Sequence, residues 1–462
     1  MNTSHRRHPR VRRSAVTIAA VAVLAGLPLG VSGVAGAQPP ATPTSTPFRT
    51  PDTDACPHRD VPPPAIDASE VPLPGDADPA PVPVPDRAVG GDELAACGVI
   101  TADAAPPLPA DISAAGWVLT DLDTGTVIAA KDPHGRYRPA STIKVLLALV
   151  ALDELDLDRT VTATEDDAQA EGSAVGIGKG GVYSVRQLLQ GLVMASGNDA
   201  AHAIAVQLGG LDRAVDKMNA KARDLGATDT RTASPSGLDG PGMACSPYDL
   251  ALIFRAAMDN PVFAELVATE SVPFPGYPKD SSKPDNPSRP DEPGVPVNPD
   301  LELNEDRPGF VLASDNALLF NYPDALGGKN GYTDDARQTF VGAAERGGRR
   351  LAVSLMNADV LPIRPWEQAA RLLDYGFAQP VSTGVGTLVS PGDTDAATDD
   401  ETTRTPTTAA APTNRLSTDA RGGAYPGVTD DNDTAIRVGV GALGLIVVVG
   451  LVLWARRLTR RT

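Results

Sequence analysis

Apolar positions crowd into short runs at residues 116–122 and 126–131, separated by Asp123-Thr124-Gly125. Two such runs around a glycine-containing break predict a β-hairpin. A longer apolar stretch at 141–155 follows Pro139 and predicts a helix buried on all sides. Between 160 and 265 the pattern is mostly helical, with runs at 185–195, 199–208 and 212–225. Strand-like segments return at 328–333, 338–344 and 349–356, the last two joined by Glu345-Arg346-Gly347-Gly348. Residues 365–377 place Trp366, Ala370, Leu373 and Phe377 on one helical face. Strands, then helices, then strands and a helix predict an α/β domain, an α+β sandwich. Its sheet is built from both ends of the chain segment, with an all-helical subdomain inserted.

Other stretches lack periodicity. Residues 38–103 are rich in Pro, Asp and Ala and predict an extended arm, so the folded domain is expected at 104–378. A Pro-rich insertion at 272–309 predicts a long exposed loop. Residues 379–435 have the composition of a disordered linker. The two ends carry apolar runs of a different kind. A basic start, an apolar run at 15–34 and Ala35-Gly36-Ala37 predict an export signal over 1–37. Residues 438–455 carry no charge and are long enough to span a bilayer. The arginines after them predict a cytoplasmic tail at 456–462 and an extracytoplasmic domain before the span. The expectation is therefore a cell-membrane protein, tethered by a single C-terminal helix.

Composition narrows the function. The net charge is −18, and removing an arginine-rich export signal makes the remainder more acidic still. Such a surface repels phosphate backbones, so no nucleic-acid partner is expected. Gly and Pro number 44 each, which fits long linkers beside one core. Of the three cysteines, Cys56 and Cys97 flank one Pro/Asp-rich segment and are the expected disulfide in an oxidising compartment. Cys245 is left as a free thiol with no histidine near it in sequence. Only His134 and His202 fall in the part read as catalytic, without metal-ligand spacing, so neither metal nor cofactor is expected.

Lysines are only eight, and two of them stand in short motifs. Ser141-Thr142-Ile143-Lys144 opens the apolar helix, where positions i and i+3 share a face. A serine hydroxyl needs an adjacent base to become a nucleophile. A lysine serves as that base when burial or a cationic neighbour lowers its pKa. Ser196-Gly197-Asn198 lies between two helices, where a second hydroxyl can relay a proton and an amide can hold a substrate carbonyl. Lys329-Asn330-Gly331 begins a strand, where a lysine can attract a carboxylate and a glycine lets a peptide lie close.

SxxK, SxN and KxG in that order resemble the penicillin-binding and serine β-lactamase superfamily. The surrounding RPASTIKVLLAL, LVMASGNDAAHAIA, ASPSGLDGPGMACSPYDLA and GGKNGYTDDARQTF resemble the low-molecular-mass D-alanyl-D-alanine carboxypeptidases within it. The resemblance implies a serine β-lactamase/DD-peptidase-like fold and a peptidoglycan stem peptide as substrate, with β-lactams as inhibitors. It implies Ser141 as nucleophile, Lys144 as base and Ser196 as proton relay. Asn198, Lys329, Asn330, Gly331, Tyr332 and Thr333 would bind substrate. The backbone N–H groups of Ser141 and Tyr332 would form the oxyanion hole. Asn330 departs from the family's usual Thr, which weakens the carboxylate assignment. The β-rich second domain of many relatives is replaced by the linker.

A class A β-lactamase would need a Glu-x-x-Leu-Asn base, and a Ser-His-Asp hydrolase a GxSxG serine; neither pattern occurs. A DD-endopeptidase, and a catalytically inactive membrane-tethered wall-binding protein, remain open as alternatives.

Overall fold

The computed structural model describes residues 50–103, 105–283 and 304–390. The expected export signal, the interior of the 272–309 insertion, most of the linker, the apolar span and the basic tail lie outside these residues. Among the described residues, no helix is long and apolar enough to cross a membrane.

The elements follow in chain order. Strands β1 (Val99–Thr101), β2 (Gly116–Asp121) and β3 (Thr126–Lys131) come first. A 3-10 turn, Ala140–Ile143, leads into α1 (Lys144–Glu154). Then come β4 (Thr160–Thr162), α2 (Glu165–Ala168) and β5 (Val182–Ser184). Helices α3 (Val185–Met194), α4 (Asn198–Gln207), α5 (Leu211–Leu225), α6 (Pro247–Met258) and α7 (Pro261–Ala268) follow. The chain returns through β6 (Ser271–Phe274), β7 (Phe310–Ala313), α8 (Ala317–Asn321), β8 (Ala325–Thr333), β9 (Arg337–Arg346) and β10 (Arg349–Ala358). It closes with α9 (Pro365–Phe377) and β11 (Gly386–Thr387).

The main sheet runs β1-β3-β2-β10-β9-β8 and is antiparallel throughout. Both of its faces are covered. Trp117, Leu119, Phe340 and Val353 pack with Leu372 and Leu373 of α9. Val118, Ala130, Val341 and Ala352 face the opposite way, into the core of α1, α3 and α6. Burial on both faces explains why the strands read as continuous apolar runs instead of alternating. The helix starts are set locally. Ser184 and Gln187 form a capping box on α3, while Ser246 caps α6 ahead of Pro247.

The fold extends past both expected limits of 104–378. The arm before 104 is ordered around the Cys56–Cys97 disulfide and supplies β1, while β11 returns from beyond Pro380. Both lie along one edge of β3. Strands of three and two residues are too short to show a period, and only the waiting edge of β3 makes them strands. The expected exposed loop at 272–309 also begins and ends in structure, because β6 pairs with β7 and Tyr277 bridges Arg307. The expected helix from Ser141 starts as a 3-10 turn and becomes α-helical at Lys144.

His134 ties the arm to the domain. Its Nδ1 lies 2.8 Å from Asp229 Oδ2 and its Nε2 3.0 Å from the arm's Val89 carbonyl. Both partners are acceptors, so the ring satisfies both only when doubly protonated. Burial opposes that charge, but Asp229, Asp249 and the Val89 carbonyl outweigh it and raise the pKa above 6.5. A raised folded pKa gives stability that is complete below 6.5 and is lost as pH rises through the folded value. The melting-temperature gap between wild type and His134→Ala should therefore narrow from about pH 6 to about pH 9. A gap independent of pH would show that the ring is neutral in the folded protein.

Candidate active site

The first motif lies where the 3-10 turn meets α1. With three residues per turn, positions i and i+3 eclipse, so Ser141 and Lys144 stack. Lys144 Nζ lies 2.7 Å from Ser141 Oγ and donates to the Ser236 carbonyl at 2.6 Å. The lysine is 0% exposed. Burial and the nearby charge of Lys329 push its pKa well below the usual lysine range, and Asp315 and Asp199 oppose them only in part. This favours the neutral amine. One N–H then serves Ser236, and the lone pair can take the serine proton.

The turn is held under strain. Ala140 has φ +47°, a left-handed value unfavourable for a residue with a side chain. The Pro139 carbonyl accepts from Thr142 Oγ1 at 2.6 Å and from Thr339 Oγ1 of β9 at 2.8 Å. Gly237, at φ +87°, backs the turn; a Cβ there would lie 2.0 Å from the Ala140 oxygen. The loop carrying Ser236 thus needs glycine for both its conformation and its close approach.

The second motif joins α3 to α4. Ser196 is buried at φ +58°. Asn198 donates through Nδ2 to the Glu171 carbonyl at 2.5 Å, and its Oδ1 is buried without a partner. Asp199 accepts from the backbone N–H groups of Val175, Gly176, Ile177 and Ala200 at 2.8–3.0 Å. That carboxylate fixes the 171–178 loop beside the motif, while α4 packs against α1.

The third motif lies on β8, an edge of the main sheet. Lys329 is 1% exposed and donates to the Asn330 carbonyl at 2.9 Å. Burial lowers its pKa and Asp315 counters. A Cβ on Gly331 would lie 2.8 Å from Ser141 N and 3.0 Å from Thr142 N. The glycine therefore lets the strand pass against the serine's own backbone, a closer neighbour than the peptide expected from sequence. Strand alternation puts Lys329, Gly331 and Thr333 on one face and Asn330 and Tyr332 on the other. Asn330 pairs with Phe340, which packs toward α9, and its Oδ1 is buried without a partner. Tyr332 is 57% exposed, with its hydroxyl on Asp334. The Thr333 hydroxyl accepts from Ala336 N at 3.0 Å.

The structure thus brings Ser141, Lys144, Lys329 and Gly331 together and leaves the Asn330 side chain on the opposite face. Sequence reasoning missed three supporting groups: the Ser236 carbonyl, Asp199 and Asp315. An acid in the first turn of α4 was a readable signal for Asp199; the other two act across long loops with no local mark. Cys245 is buried beside Thr230, and burial raises its thiol pKa well above the ordinary value, which disfavours the thiolate. Among the described residues, no cluster of His, Cys, Asp and Glu has metal-binding geometry.

A two-faced antiparallel sheet, a helical subdomain and a Ser–Lys pair against an edge-strand lysine define the penicillin-binding, serine β-lactamase-like class. Comparison with known proteins agrees. A profile of the D-alanyl-D-alanine carboxypeptidase family, peptidase S11, matches residues 101–274. The D-alanyl-D-alanine carboxypeptidase DacB2 of Mycobacterium tuberculosis is 48% identical over 286 residues, spanning 61% of this chain and 88% of that protein. A crystal structure of a D-alanyl-D-alanine carboxypeptidase from the same organism matches with TM-score 0.54 and 47% identity, over 63% of this chain and all of that one. The Streptomyces K15 DD-transpeptidase matches with TM-score 0.51 and 28% identity, over 59% of this chain and all of that one. The chain belongs to the D-alanyl-D-alanine carboxypeptidase family.

The Asp199 carboxylate gives a direct stability test. Asp199→Ala leaves four backbone donors without their acceptor and should lower the unfolding free energy by about 2–4 kcal/mol in urea titration. A loss below about 1 kcal/mol would show that the 171–178 loop is held by other contacts.

Proposed function

We propose that the protein is a serine-type D-alanyl-D-alanine carboxypeptidase that trims peptidoglycan stem peptides through an acyl-enzyme, and that penicillins acylate the same serine. The observation that carries this reading is the buried Lys144 amine 2.7 Å from Ser141 Oγ, with the Lys329 charge favouring its neutral form.

Ser141 Oγ attacks the carbonyl carbon of the penultimate D-alanine as its proton passes to Lys144 Nζ. The oxyanion is held by the backbone N–H groups of Ser141 and Tyr332, a pairing supported by the close approach of Gly331 to Ser141 N. The C–N bond then breaks. The leaving D-alanine takes a proton through Ser196, and Asn198 holds the peptide backbone. Lys329 attracts the terminal carboxylate and Thr333 contributes from the same face of β8, while Asn330, turned to the opposite face, takes no part. Water attacks the ester with Lys144 again as base, and the Ser141–acyl bond breaks to restore the hydroxyl. The same reading puts the catalytic unit outside the cell membrane, exported by residues 1–37 and tethered by the apolar run at 438–455.

Fluorescent penicillin should label the wild type and leave Ser141→Ala unlabelled, with a mass shift on the peptide carrying Ser141. An unlabelled wild type, or equal labelling of the variant, overturns the nucleophile. D-Alanine should be released from a pentapeptide; cleavage of cross-linked dimers alone would favour an endopeptidase. The acylation rate should fall as pH drops through the lowered Lys144 pKa, because protonation removes the base. Lys329→Ala should raise KM for the carboxylate-bearing peptide, and an unchanged KM would remove Lys329 from substrate binding.

A further inference from the structure

The segment leading to the reactive serine carries three buried cations. Lys131, Arg136 and Arg138 are 3%, 1% and 3% exposed. A buried cation is tolerated only when its donors find partners. The N-terminal arm supplies most of them. Lys131 Nζ donates to the Pro51 carbonyl. Arg136 donates to the Asp60 carbonyl at 2.9 Å, to the Val82 carbonyl and to the Pro83 carbonyl at 3.0 Å, besides Asp229 of the domain itself. Arg138 reaches the Pro63 carbonyl at 2.7 Å and grips both carboxylate oxygens of Glu70, one of them at 2.7 Å. A two-pronged guanidinium–carboxylate pair fixes direction as well as distance.

The same stretch of arm reaches the other side of the site. Ile66 N donates to Asp335 Oδ1 at 2.6 Å, in the turn that ends β8. Residues 63–70 therefore hold Arg138, three positions ahead of Ser141, and Asp335, four positions past Gly331. Between these two anchors, the Gly331 backbone passes the Ser141 backbone with no room for a methyl group. Arg138 is also attracted by Asp335 and by Asp239 of the 236–239 loop. Glu70 thus completes an ionic knot joining the serine turn, the third-motif strand and the loop whose Ser236 carbonyl holds Lys144.

We propose that Glu70 and arm residues 63–70 form a positioning strap that sets the distance between the Ser141 turn and the Gly331–Tyr332 backbone. The proposal deepens the reading of Ser141 as the acylated nucleophile and rests on it. Glu70 touches no reacting atom; it acts through Arg138. Acylation depends steeply on the placement of the attacking oxygen and the oxyanion donors, and small misplacements are felt in the rate before they are felt in binding.

The test compares wild type, Glu70→Ala and Glu70→Gln as full chains, after circular dichroism and gel filtration show them folded. Glu70→Ala should lower the limiting penicillin acylation rate constant about tenfold with the half-saturating concentration unchanged, and Glu70→Gln, which keeps one acceptor oxygen, should recover part of it. A wild-type rate in folded Glu70→Ala overturns the strap. Hydrogen–deuterium exchange supplies a readout that needs no activity. Glu70→Ala should raise exchange in peptides covering 138–144 and 329–336 together. A rise confined to 60–72 overturns the proposal even if the wild type fails to acylate, an outcome that by itself would fault the nucleophile assignment.

Discussion

The desolvation of Lys144 governs the rest of the site. An ammonium in water has no reason to release its proton at neutral pH. The same group sealed inside the domain, facing a second buried lysine, is favoured as the neutral amine. The fold must therefore keep two lysine side chains close together and away from water. Each lysine gets one backbone carbonyl, Ser236 for Lys144 and Asn330 for Lys329, and Asp315 and Asp199 offset the burial only in part. Partners this sparse leave the amine underprovided with charge and ready to accept a proton.

Holding that arrangement explains features that look expensive in isolation. Ala140 and Ser196 adopt left-handed backbone angles without being glycine. Gly237 and Gly331 sit where a single methyl group would strike the Ala140 oxygen or the Ser141 nitrogen. Asp199 gathers four backbone N–H groups so that one loop stays beside the second motif. Strain of this kind persists only where the surroundings over-determine it. Here a sheet covered on both faces provides that rigidity.

Family membership accounts for the catalytic core and leaves the arm to be explained by this chain's own contacts. The matched family profile begins at residue 101, after most of the arm, and ends at 274, before β8. The arm nonetheless satisfies buried donors on Lys131, Arg136 and Arg138, and it is stapled by the Cys56–Cys97 disulfide. It is part of the domain's interior chemistry, although its composition reads as a spacer.

The three motifs, the hairpin at 116–131, the helices at 185–225 and the closing helix were legible from the chain alone. Periodicity and local turn chemistry act over a few residues, so they are written where they act. The contact between Ser141 and Lys144 was legible for the same reason, since serine and lysine stand three positions apart on one turn. Only the tertiary structure decided which face each third-motif side chain takes, because that depends on the register between β8 and β9. It alone recruited β1 and β11 to one edge of β3, brought Ser236 across 92 residues to Lys144 and latched Glu70 onto Arg138 across 68. Contacts at such separations are set by the packing of whole elements and leave no local trace in the chain.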